Sequence, residues 1–104
     1  MAAQFSLIYS SRFSQYSYGD CHPFKVDRYR LTYELMEHCG LLSCPQMIEV
    51  ECPEADEAAL TTFHRADYLK TLAAFSADDD VHANFFYGLG DVENPVFKGL
   101  YDWT

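Results

Sequence analysis

Two short runs of alternating apolar residues, parted by a single helical stretch, constrain this chain more than any other feature. Phe5-Ser6-Leu7-Ile8-Tyr9-Ser10 sets Phe5, Leu7 and Tyr9 on one face, the period of a strand. Met47-Ile48-Glu49-Val50-Glu51-Cys52 reads as a second strand, bounded by Pro45 and Pro53. Between them, from Asp27 to Cys39, Tyr29, Tyr33 and Met36 recur at helical spacing, and Leu31, Leu35 and Cys39 widen the stripe. Asp27 is the expected N-cap. Gly40 sits where a left-handed C-terminal cap belongs, with Leu41-Leu42 placed to fold back on the last turn. Further helices are expected over about 55–61, acidic and Ala-rich, and 66–76, with Tyr68, Leu69, Leu72 and Phe75 inward. Strand, helix, strand, helix, helix is an α/β order.

Two strands are too few for a parallel sheet covered on both faces. Either the chain is a small α+β unit or it is cut from something larger, and the stop at Trp103-Thr104 favours the second view. The connections are legible too. Ser11 to Lys25 is a loop rich in Ser, Tyr, Gly and Pro, and a loop loaded with aromatic and polar side chains is often a binding loop. Val81 to Tyr87 is open between strand and irregular chain, Gly88 to Pro95 is a loop, and Gly99 to Thr104 reads as the first turn of a helix.

Composition narrows the function classes. The 104 residues bound the answer to one unit, spanning 1–104, and 49% apolar content gives it enough to bury that disorder is excluded. Sixteen acidic residues against 7 Lys and Arg leave a formal charge of -9. Seven cations are too few for the basic face that nucleic acid or an anionic membrane requires. No apolar run approaches the roughly 20 residues that span a bilayer. Met1-Ala2-Ala3-Gln4 carries no basic region before an apolar stretch, and Cys21, Cys39, Cys44 and Cys52 read as reduced thiols, so a cytoplasmic location is expected.

The loop and first helix carry a longer motif: Tyr18-Gly19-Asp20-Cys21-His22-Pro23-Phe24-Lys25-Val26-Asp27-Arg28-Tyr29-Arg30-Leu31-Thr32. It resembles the opening of the histone deacetylase-like family, where Tyr-Gly-x-x-His-Pro-x-Lys-x-x-Arg leads into the first helix. Two later segments agree in order: Thr62-Phe63-His64-Arg65-Ala66-Asp67-Tyr68-Leu69, and Gly88-Leu89-Gly90 followed by Asn94-Pro95-Val96-Phe97-Lys98-Gly99-Leu100-Tyr101. Within the family, Lys25 and the Arg-x-Arg-x-Thr run look closer to the acetoin-utilisation and class I-like deacetylases than to the polyamine branch. Val26 stands where the family usually has Pro, and Cys21 where it usually has Gly.

The resemblance implies the N-terminal portion of an arginase-like fold with short parallel strands at about 5–10 and 47–52. It implies a zinc-dependent amidohydrolase that removes acetyl groups from lysine side chains or related amines. In that chemistry the metal polarises the amide carbonyl and its bound water attacks. The family's two Asp, its His ligand and an adjacent His pair lie downstream of this region. His22, His38, His64 and His82 include no adjacent pair, and no Asp-x-His occurs. The chain alone is therefore expected to hold no cofactor and to be inactive, with zinc belonging to the full-length family.

Four positions carry over. Glu93 stands where the family has a rim Asp that accepts hydrogen bonds from the substrate backbone; a solvated loop carboxylate is the alternative. Tyr18 is placed at the substrate entrance, with core packing as its alternative. Arg28 matches an arginine lining the product channel below the metal, where a planar cation suits released acetate; a buried arginine bonded to loop carbonyls is the alternative. Lys25 matches a lysine that contacts an inositol phosphate in some relatives, and reads here as a surface lysine. The partners implied are the remainder of the catalytic domain, an acetylated amine and, through exposed strand edges, a second copy of the chain. The competing reading is a stand-alone, non-enzymatic interaction module derived from the same fold. A weaker third is a small metal-binding domain built on His38, Cys39, Cys44 and Cys52.

Overall fold

The computed structural model describes residues 4–80 and 83–104. Met1-Ala2-Ala3 of the N-terminal reading, and Val81 and His82, lie outside the described residues. The chain divides into two units, Met1–Pro53 and Glu54–Thr104, each described on its own.

In the first unit, β1 (Phe5–Tyr9) leads through a 3-10 turn at Ser11–Ser14 and a loop into α1 (Asp27–His38), and then β2 (Met47–Glu51). The strands pair in parallel, Phe5 opposite Met47 through Tyr9 opposite Glu51. Parallel pairing needs a crossover, and α1 supplies it. The chain is thus α/β, with both strands and all the expected helices within two residues of their predicted limits.

Strand alternation puts Phe5, Leu7 and Tyr9 with Met47, Glu49 and Glu51 on one face, and Ser6 and Ile8 with Ile48 and Val50 on the other. Helix α1 meets the first at Tyr9 and Glu49. The Tyr33 ring stacks on Tyr9 at 4.1 Å and 14°, and its hydroxyl donates to Glu49 at 2.6 Å. The second face is exposed, most of all at Ile8 (62%).

Rings hold this unit together. From Tyr9 the contacts run to Phe13 (6.1 Å), Tyr29 (5.8 Å), Phe24 (5.9 Å), Tyr18 (5.9 Å) and the His22 ring (4.7 Å). Such pairs each contribute about 0.5–1.5 kcal/mol beyond area burial. Val26 is the one buried apolar residue of this unit among the described residues. The apolar stripe of α1 accordingly divides. Tyr33 packs on Tyr9 and Tyr29 meets Phe13 and Phe24, while Leu31 and Leu35 make the exposed part of the stripe.

The ends of α1 differ in how well the sequence foretold them. Asp27 is not the N-cap: it is the first helical residue, and its carboxylate accepts from Arg30 Nε and Nη2, both at 2.9 Å. Arg30 outcompetes the helix amides because its planar fork matches both carboxylate oxygens. The far end closes as expected. Gly40 has φ +74°, and the Leu41 amide reaches back to the Met36 carbonyl at 2.9 Å, a Schellman closure. A Cβ in this left-handed conformation would cost about 1–2 kcal/mol.

One consequence can be measured. The hydrogen bond to Glu49, helped by desolvation and the carboxylate charges, pushes the Tyr33 phenol up from 10.0 to about 12. A raised folded pKa favours the protonated form. The stabilisation is therefore complete below pH 10 and lost as the pH rises through about 12. Tyrosinate absorbance should show Tyr33→Phe losing its latest-titrating phenol; an unchanged upper limb would sink the assignment.

In the second unit, α2 (Glu57–Thr61) precedes α3 (Ala66–Phe75) and α4 (Leu100–Trp103). Helix α2 starts two residues later than expected because Asp56 caps it, accepting from Ala59 N at 2.7 Å. Leu69 and Leu72 of α3, with Leu89 and Leu100, are the buried apolar residues. Buried Ser76 ties the last helix to α3: its hydroxyl donates to the Leu72 carbonyl and accepts from Tyr101 N at 3.3 Å, and its carbonyl accepts from Gly99 N at 2.9 Å. Gly99 enters α4 at φ +85°, a conformation open to glycine.

The uncertain stretch before Gly88 closes as a tight hairpin. Asn84 and Leu89 exchange backbone hydrogen bonds at 2.9 and 3.1 Å, leaving Phe85 and Phe86 exposed at the tip. Among the described residues, no helix is long and apolar enough to cross a membrane.

Candidate functional site

The predicted site residues fall on two loops, one in each unit. In the first unit, residues 15–26 fold on themselves. Phe24 N donates to His22 Nδ1 at 3.1 Å, the Ser17 hydroxyl accepts from Gly19 N at 3.0 Å, and Lys25 Nζ turns back to the carbonyls of Gly19 and Asp20. The His22 imidazole is therefore engaged within its own loop, next to Pro23. Lys25 is more than a surface lysine, since it staples its own loop. No local signal reveals that, because the acceptors are backbone carbonyls brought near by the turn.

Tyr18 is half-buried, stacked on His22 and edge-on to Phe24. Arg28 is exposed on the first turn of α1, its guanidinium 5.8 Å from the Phe24 ring centre. Phe24 thus touches both residues, Tyr18 on an edge and Arg28 above its face. Its placement is a feature the sequence reading missed, although Phe24 lies within the motif it singled out.

In the second unit, Asp91 organises the loop that carries Glu93. Its Oδ1 accepts from Glu93 N at 2.9 Å and Asn94 N at 2.7 Å, while Gly90 N donates to the Asn94 carbonyl at 2.8 Å. This is an Asx turn, for which Asp91 two residues before Glu93 is the sequence signal. Glu93 is displayed on the exposed side of that turn.

A second polar group lies at the start of α3. Arg65 Nε and Nη2 clasp the Asp67 carboxylate at 3.0 and 2.6 Å, and Asp67 also takes the Tyr87 hydroxyl and Tyr68 N. The Arg65 bond, then the Tyr87 bond, hold the Asp67 carboxyl below the usual carboxylate range; the same contact raises the Tyr87 phenol.

The zinc that the resemblance implies finds no fit here. Among the described residues, no three His, Cys, Asp or Glu side chains converge as metal ligands. His38 Nδ1 is engaged with the Glu34 carbonyl at 2.7 Å and the Cys44 thiol with Gln46 at 2.9 Å, and the four cysteines are free thiols.

A parallel strand–helix–strand unit followed by three short helices and an Asx-turned loop defines an α/β protein. The chain is 34% identical over 98 residues to the acetoin utilization protein AcuC of Staphylococcus aureus, covering 90% of this chain and 24% of the relative. It is 33% identical over 97 residues to histone deacetylase 2 of Oryza sativa subsp. japonica, covering 90% and 19%. Histone deacetylase 1 of the same plant is 33% identical over 99 residues, covering 92% and 18%. Over about nine-tenths of its length, the chain is thus similar in sequence to part of acetoin-utilisation proteins and histone deacetylases. It spans about a quarter or less of the length of the curated relatives it matches. No family model matches it, and no solved structure does.

Proposed function

We propose that this chain forms the entrance and product side of a zinc-dependent deacetylase acting on acetyl-lysine or a related acetylated amine, with the metal ligands supplied from outside these 104 residues. The likeness over 90% of the chain, at 33–34% identity, carries this reading. In it, Glu93 accepts hydrogen bonds from the substrate backbone, and the exposed Asx turn at Asp91 carries it. Tyr18 lines the entrance, locked between His22 and Phe24. Arg28 pairs with the released acetate, and it makes no ion pair among the described residues that would compete. In this reading residues 1–104 belong to a longer catalytic domain that works in the cytoplasm.

The bare apolar sheet face around Ile8 favours one second reading, a stand-alone interaction module derived from this fold. The purified chain, given zinc and a fluorogenic acetyl-lysine peptide, should show no turnover above background. Appreciable turnover abolished by a chelator would overturn the claim that the metal ligands come from elsewhere.

A further inference from the structure

An open groove of about 400 Å³ lies in the second unit, lined by Phe63, His64, Arg65, Tyr68, Phe86 and Tyr87. Five of these six residues are rings. Phe63 meets His64 at 4.9 Å and 88°, His64 meets Tyr68 at 5.7 Å and 33°, Tyr68 meets Tyr87 at 5.7 Å and 62°, and Tyr87 meets Phe86 at 4.9 Å and 85°. Two of these pairs, Phe63 with His64 and Phe86 with Tyr87, are near-perpendicular and so present faces as well as edges, and the electron-rich faces attract a cation. Phe63 (87% exposed) and Phe86 (78%) stand at the surface, where the packing of the unit does not need them.

The polar groups say which cation. Arg65 is neutralised by its two-pronged contact with Asp67, and Asp67 and the Tyr87 hydroxyl bond to one another. None of the lining residues is acidic. An ammonium with N–H groups would lose hydrogen bonds to water and find no carboxylate in the lining to replace them, which is costly. A quaternary ammonium has no such groups to satisfy. The surrounding charge excludes an anion: from Glu54 to Thr104 there are ten Asp and Glu against three Lys and Arg. A field of that sign raises the local concentration of cations.

We propose that this groove binds an organic cation without N–H donors, a quaternary ammonium of the trimethylammonium type. The test is an NMR titration of the full chain with choline, at constant ionic strength. Its neutral isostere, 3,3-dimethylbutan-1-ol, in which carbon replaces nitrogen, is titrated alongside. Choline should shift the Tyr68 and Tyr87 ring resonances saturably, and the isostere should bind at least about 5-fold more weakly. Phe86→Leu, at an exposed position, should weaken choline about 5-fold while leaving the amide spectrum intact; Tyr68→Leu should do the same. Equal affinity for choline and the isostere would show a merely apolar groove and overturn the proposal. So would an absence of saturable shifts, or unchanged affinity in a folded Phe86→Leu chain.

Discussion

Grafted in place of the matching segment of the rice histone deacetylase 2, this chain should sustain zinc-dependent deacetylation of an acetyl-lysine peptide, and Arg28→Ala should then lower kcat about 10-fold or more. The graft supplies what the described residues lack, a set of converging metal ligands. The proposed arginine acts on the product, so its loss should slow turnover and leave KM little changed. Glu93 is proposed to hold substrate, so Glu93→Ala should raise KM instead, by about 10-fold for a lost charge-assisted hydrogen bond. The two variants therefore separate the two roles. Arg28 is exposed and near one ring face, so its removal leaves no buried partner stranded and the effect should not come from misfolding. A graft whose turnover is indifferent to Arg28→Ala would refute the product-side assignment, even if deacetylation itself survives.

The isolated chain should also self-associate, more strongly as salt is raised. Two parallel strands expose an apolar face of Ile8, Ile48 and Val50, and among the described residues no third strand pairs with either edge. Unpaired edges and bare apolar faces are templates for association. Opposing this, each copy carries a charge of -9. Like charges repel across the roughly 8 Å Debye length of physiological salt, and that repulsion shrinks as salt rises, while burial of apolar surface does not weaken. Light scattering should show a dimer that grows with both protein and salt concentration. Ile8→Lys, which places a charge on the bare face, should shift the midpoint at least about 10-fold toward monomer. A strictly monomeric profile at high concentration and high salt would sink this expectation.

Parts of the fold were legible residue by residue. The three helices and two strands lie close to their expected limits because apolar periodicity, Gly40 and the bounding prolines act within a few residues of chain. Asp27 misled because Arg30, three residues on, outbids the helix amides for its carboxylate. The loop motif around His22 was legible for a similar reason, since its imidazole bonds only two residues away. The groove was not, because the fold brings Phe63 and Phe86 to it from separate stretches of the chain.

By itself the sequence determined the α/β order, the capped end of α1, the strong negative charge and the kinship with deacetylases, each set by neighbours along the chain or by composition. The tertiary structure alone decided which apolar residues are covered. It stacked Tyr33 on Tyr9, left Leu35 and Ile8 in water, and clasped Arg65 to Asp67 beside a row of rings. A side chain's partner is chosen by the three-dimensional path of the backbone, and spacing along the chain does not encode that path.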